Sequence, residues 1–254
     1  MIQLCCEDSR RLTGANLYTE LPGAVLDLKP DPDNQSSIDF DAIIEVWKRH
    51  THDLLKALCW DTEASFYRSY ENGVSLGITA PIDCLYSAAE LIEFALLLTA
   101  EELKLGPIVG IEVEPIADFN NLIAHLEKLV KDEENPALLV LQSAAREHNA
   151  VFLFDDDLVS LGLGAGCRQW PVDQLPDPDQ IRWNEITSLP IALITGTNGK
   201  STSVRLSAFI AKTAGLNAGL TSTDYIKVGE TIIDEGDYSG PGGARMLLRD
   251  ERIE

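Results

Sequence analysis

Apolar positions along the chain recur with two periods, and these predict most of its elements. Gly23-Ala-Val-Leu-Asp-Leu-Lys29 reads as a strand, followed by a loop over Pro30–Ser37. Ser37 is placed to cap a helix from Phe40 to Leu58, in which Ile43, Ile44, Trp47, Leu54, Leu55 and Leu58 fall on or near one face. Ala64–Tyr70 and Val74–Ile78 flank Glu71-Asn-Gly73 and predict a hairpin with Asn-Gly at its turn. A helix over Ala88–Leu105, a short strand over Gly110–Pro115 and helices near Asp118–Lys131 and Pro136–His148 follow. Ala150-Val-Phe-Leu-Phe154 is the next strand, ended by Asp155-Asp-Asp157. The triplet reads as a solvated turn, with a Mg²⁺ site as the alternative.

From Leu158 the pattern changes. Val159–Gly166 is rich in glycine, but Gly162-x-Gly164-x-Gly166 has the wrong spacing for a dinucleotide loop. A turn or strand ribbon is the simpler expectation. Pro171, Pro176, Asp177 and Pro178 mark a linker, with a boundary near residue 185.

The last stretch carries the chemistry. The apolar run Ile191-Ala-Leu-Ile-Thr195 leads into Gly196-Thr-Asn-Gly-Lys-Ser-Thr202. An amphipathic helix then runs from Ser203 to Gly215, and a second apolar stretch from Asn217 to Leu220. Strand, glycine turn, Lys-Ser and helix make a phosphate cradle of the βαβ kind. Glycine lets backbone N–H groups approach phosphate oxygens. Lys200 is placed to reach the β- and γ-phosphates, and the Ser201 hydroxyl to sit on Mg²⁺. Ile194 stands where the full Walker pattern has its first glycine. The plain alternative is an ordinary strand–turn–helix with a surface lysine.

Composition narrows the setting. Hydrophobic residues make up 45% of 254, enough for a core in one large or two ordinary domains. The net charge is −21. Residues 191–254 hold seven Lys/Arg against eight Asp/Glu, so the acid lies before the glycine loop. So acidic a surface argues against nucleic acid and anionic membranes as partners. The five scattered cysteines, without a Cys-x-x-Cys pair, suit reduced thiols, and the four histidines show no zinc spacing. No basic-then-apolar leader opens the chain, and Leu91–Leu98 is too short to span a bilayer. A cytoplasmic setting is the expectation.

At Gly196–Thr202 the chain resembles the Mur ligase family, whose ATP loop reads Thr-Gly-Thr-Asn-Gly-Lys and then Thr or Ser; that loop does not keep the first Walker glycine. The resemblance continues through Thr221-Ser-Thr-Asp224, Tyr225–Ile233, Glu235-Gly-Asp237, Ser239-Gly-Pro241 and Ala244–Asp250, which look like the Mur-type module of cyanophycin synthetases. Arg11-Leu-Thr-Gly-Ala-Asn16 and Leu158–Gly164 look, more loosely, like the opening and closing segments of their N-terminal domain. Those enzymes continue into an ATP-grasp domain, whereas here the chain goes directly to the Mur-like loop.

The resemblance implies an α/β chain: an N-terminal α+β domain over 1–157, a Gly/Pro-rich connector over 158–188, and over 189–254 the first part of a P-loop, parallel-sheet ATPase domain. It implies ATP-driven amide bond formation through an acyl phosphate, with ATP and Mg²⁺ required. Gly196, Thr197, Asn198, Gly199, Lys200, Ser201 and Thr202 are then the nucleotide residues, with Lys200 catalytic. Ser201, Asp224 and Asp237 are expected at the metal, and Thr223, Ser239 and Arg245 at the substrate. Turn capping by Asp224 and Asp237, and a solvated basic face for Arg245 and Arg249, are the competing readings. The family's next strand, bearing a Mg²⁺-binding glutamate, and its C-terminal domain are not in the chain. The chain is therefore expected to be the front of a ligase, inactive alone, acting on small carboxylate and amine substrates; self-association stays open. The alternative is a nucleotide-binding or regulatory module without catalysis. A P-loop kinase or GTPase lacks support, since no Asn-Lys-x-Asp occurs.

Overall fold

The computed structural model describes residues 4–31 and 38–254. It is a mixed α/β structure with two compact units, Met1–Leu139 and Val140–Glu254.

In the first unit, alternation builds a five-stranded sheet. Its strands are β1 (Leu4–Leu12), β2 (Gly23–Pro30), β3 (Ser65–Tyr70), β4 (Gly73–Thr79) and β5 (Ile108–Val109), in the order β3-β4-β2-β1-β5. All neighbours are antiparallel except β1 and β5. Leu26, Leu28, Val74, Leu76 and Ile78 are fully buried, and every residue of β4 between them is buried too, as on a central strand. Two helices, α1 (Phe40–Ala57) and α2 (Leu85–Glu102), join that core through Ile43, Trp47 and Leu54, and through Leu91, Ile92 and Leu96. The Trp47 indole N–H donates to the Ile92 carbonyl (3.3 Å), which satisfies a buried donor and ties α1 to α2.

Three local expectations change. Ser37 lies outside the described residues; the observed cap of α1 is Asp39, whose carboxylate accepts from the Ala42 N–H (3.0 Å). Tyr70 pairs with Gly73, so the hairpin turn is Glu71-Asn72 and Gly73 already belongs to β4. The strand expected over Gly110–Pro115 is not formed, because the N–H groups of Glu112 and Val113 donate to the buried Glu93 carboxylate instead (3.1 and 3.3 Å). Helix α3 (Phe119–Glu133) follows, and the division between the units falls inside α4 (Pro136–Glu147).

The second unit contains two small antiparallel sheets. The first is β6 (Phe152–Phe154), β7 (Leu158–Leu161) and β8 (Arg168–Pro171), in chain order. The glycine-rich stretch between β7 and β8 is a tight turn, not a ligand loop. A Cβ on Gly166 would stand 1.9 Å from the Thr187 hydroxyl, and the Leu163 N–H donates to the Thr187 carbonyl (2.7 Å). Glycine is needed there because another segment of the chain passes so close.

The other sheet, ordered β11-β10-β9, holds β9 (Gly219–Thr221), β10 (Tyr225–Val228) and β11 (Thr231–Glu235). Helices α5 (Lys200–Thr213) and α6 (Pro241–Leu248) complete the unit. The expected strand Ile191–Thr195 joins no ladder, and the parallel pairing expected around it does not occur within this unit. A strand exists only against a neighbour, and β9 pairs with β10 instead. Leu193 is 92% exposed, and Leu206, Phe209 and Ile210 of α5 are also exposed.

Arg249, just beyond α6, is buried rather than on a solvated face. Its guanidinium donates to the Ser160 hydroxyl (2.9 Å), the Leu158 carbonyl (3.1 Å) and Asp155. Asp155 also accepts from the Leu158 N–H (3.0 Å). The acidic turn thus serves a buried ion pair.

Candidate nucleotide site

Gly199 closes the loop and caps α5 in the left-handed region (φ +79°), where residues with a Cβ are strained. No side chain caps this helix. The first-turn N–H groups of Lys200, Ser201 and Thr202 have no acceptor within the helix and form the positive end of its dipole. The Lys200 ammonium curls back to the Gly196 carbonyl (2.6 Å) and reaches the Thr197 carbonyl at 3.5 Å. Residues 196–200 and Thr202 are exposed and Ser201 is half-buried. This set of uncapped N–H donors, one ammonium and an open approach suits a polyphosphate.

Thr223, in the connection between β9 and β10, faces the start of α5. Its hydroxyl lies 3.4 Å from that of Ser201. The buried Ser222 side chain holds this connection by accepting from the N–H groups of Asp224 (3.2 Å) and Tyr225 (3.3 Å). The Gly236 N–H donates to the Asp224 carbonyl (2.9 Å) and the Tyr238 N–H to the Ser222 carbonyl (2.8 Å). These bonds zip the 236–238 stretch to the 222–224 stretch, so Thr223 and Asp237 lie on adjoining backbones.

Both expected metal carboxylates have partners. Asp224 is ion-paired with Arg205, one helical turn beyond Ser201. Asp237 accepts from the Ser239 N–H (3.0 Å) and from the Ser239 hydroxyl (2.7 Å), and these bonds hold its carboxyl below the usual range. Ser239 is thereby engaged in the turn that starts α6 at Pro241. Arg245 is half-buried on α6. Among the described residues no group of three His, Cys, Asp or Glu side chains could hold a metal. Two adjacent hydroxyls are hard oxygen donors and fit Mg²⁺, which keeps water and phosphate oxygens and takes few protein ligands. Sequence reading missed Arg205; its place four residues after Ser201 was the available signal.

No protein-family model matches the chain. It is 47% identical over 66 residues to a cyanophycin synthetase of Crocosphaera subtropica, covering 26% of this chain and 8% of that protein. Against the cyanophycin synthetase of Geminocystis herdmanii it is 42% identical over 84 residues, or 33% and 9% of the two chains. Against the UDP-N-acetylmuramoyl-L-alanyl-D-glutamate--2,6-diaminopimelate ligase of Leptospira interrogans it is 38% identical over 60 residues, or 24% and 12%. The matches support a Mur-ligase-like relationship, and they span about a tenth of each relative's length.

Proposed function

We propose that residues 189–254 form the triphosphate-binding front of an ATP-dependent ligase that joins a carboxylate to an amine. The observation that carries this reading is the glycine-capped start of α5, with Lys200 folded over the loop and Ser201 beside Thr223. The relatives' being ligases supports the reaction class. The backbone N–H groups of Thr197, Asn198 and Gly199 orient the phosphate oxygens, with Gly196 shaping the loop and Thr202 next to the α-phosphate. Lys200 leaves the Gly196 carbonyl and neutralises charge on the transferring phosphoryl group. A substrate carboxylate attacks that group and becomes an acyl phosphate as ADP leaves; the amine then attacks the acyl carbon and expels phosphate, leaving the amide. Such chemistry is mostly positioning and charge neutralisation, so one lysine and oriented dipoles suffice on this side. Mg²⁺ would be held by the Ser201 and Thr223 hydroxyls, with Asp237 on the adjoining loop, and would supply charge neutralisation at the phosphates. Thr223, Ser239 and Arg245 border the acceptor.

A second reading, a module that binds nucleotide without catalysis, is favoured by the openness of the loop. Calorimetry with MgATP tests the common part. Lys200→Ala is expected to abolish binding, and unchanged affinity would sink the site. Release of ADP on adding carboxylate and amine, measured on the protein as its source cell makes it, separates ligase from module.

A further inference from the structure

Two side-chain contacts, one helical turn apart, link α5 to the β9–β10 connection. Ser201 meets Thr223 at 3.4 Å, and Arg205 meets Asp224. Ser201 and Arg205 are i and i+4 on one face of α5, and Thr223 and Asp224 are consecutive, so the contacts form a two-rung rail. The Arg205 guanidinium also lies 5.2 Å from the centre of the Tyr225 ring, within cation–π range. It therefore engages two successive residues of the connection. The other bonds of that connection, through Ser222, Gly236 and Tyr238, fix it to its own hairpin; the Lys212–Glu230 ion pair ties the far end of that hairpin to α5, and this rail sets the connection at the loop end.

We propose that Arg205 is a positioning residue of the phosphate site, holding Asp224 so that Thr223 stands against Ser201, and that Asp224 is a strut and not a metal ligand. The proposal rests on reading residues 196–202 as that site. The ion pair is about half exposed (46% and 53%), where such pairs add little stability. Its removal should leave the fold intact and act on alignment alone. A carboxylate already paired with a guanidinium is a poor cation ligand, whereas the two hydroxyls remain open to one.

The test is calorimetry of the whole chain with ATP, with and without Mg²⁺, alongside hydrogen exchange of the 221–226 amides. Arg205→Ala should lower Mg²⁺-dependent affinity about 10-fold, the scale seen when groups that orient metal ligands are lost, while binding without Mg²⁺ stays within about 2-fold. Exchange at Thr223–Tyr225 should rise, and the unfolding midpoint should not move. The charge-swapped pair R205D/D224R should recover most of the loss. Recovery by the swap excludes ligation by Asp224, because arginine cannot bind a cation. If R205A binds MgATP as the parent does while K200A does not, this inference fails and the site stands. If D224N loses more than R205A and the swap recovers nothing, Asp224 is a ligand and the inference falls. If the parent binds no nucleotide, the site reading falls and takes the positioning role with it.

Discussion

Asp155 and Arg249 show what one buried charge asks of its surroundings. With Arg249 7% exposed, Asp155→Ala would leave a guanidinium without its counter-charge, at a cost of about 3 kcal/mol. Urea unfolding should register that loss, and Asp155→Asn should cost less because it keeps an acceptor. The thiols give a second residue-scale expectation. Burial pushes Cys6 from 9.0 up to about 12, and burial raises Cys84 and Cys167 as well. A raised thiol value favours the neutral form in the fold. Its stability is therefore complete below pH 9 and is lost as pH climbs from 9 towards 12, by up to about 1.4 kcal/mol per pH unit per thiol. Denaturation curves at pH 8 and 10 should show the decline, and at pH 8 a thiol reagent should modify exposed Cys59 well before buried Cys6 or Cys84. Lys200 and Ser201 could be proposed from sequence because their motif, Gly196–Thr202, is local. Arg205 and Arg249 could not, since their partners stand 19 and 94 residues away.

Among the elements, helices were legible and isolated strands were not. α1, α3 and α4 fall within a few residues of their expected bounds because a helix makes its hydrogen bonds within its own segment. Residues 110–115 and 191–195 carry strand-like sequence, but a ladder needs a second strand, and local pattern is silent about where that strand lies. The glycine-rich turn after β7 yields a sharp expectation. Gly166→Ala forces Thr187 aside and should destabilise the protein by about 1–3 kcal/mol. By contrast Phe209→Ser on α5, at a side chain 64% exposed, should change stability by less than about 0.5 kcal/mol. Thermal denaturation of the two variants side by side checks both. A large loss in F209S would mean that the apolar face of α5 is covered in solution.

For the whole molecule, charge sets the conditions. A net charge of −21 on 254 residues, concentrated before the glycine loop, means that the folded chain repels itself. Salt at about 0.5 M shortens the screening length to a few ångströms, so the unfolding midpoint should rise with NaCl. A midpoint that stays flat would show that local ion pairs already offset the excess acid. The Arg249 anchor also bears on how the chain is made. Its guanidinium completes a site built from Ser160, 89 residues earlier. At about 5–20 residues per second, a ribosome delivers the arginine roughly 4–18 s after the β6–β7 hairpin. Through that interval the nascent hairpin holds Asp155 without its counter-charge, and the Asp155 site cannot close until Arg249 has emerged.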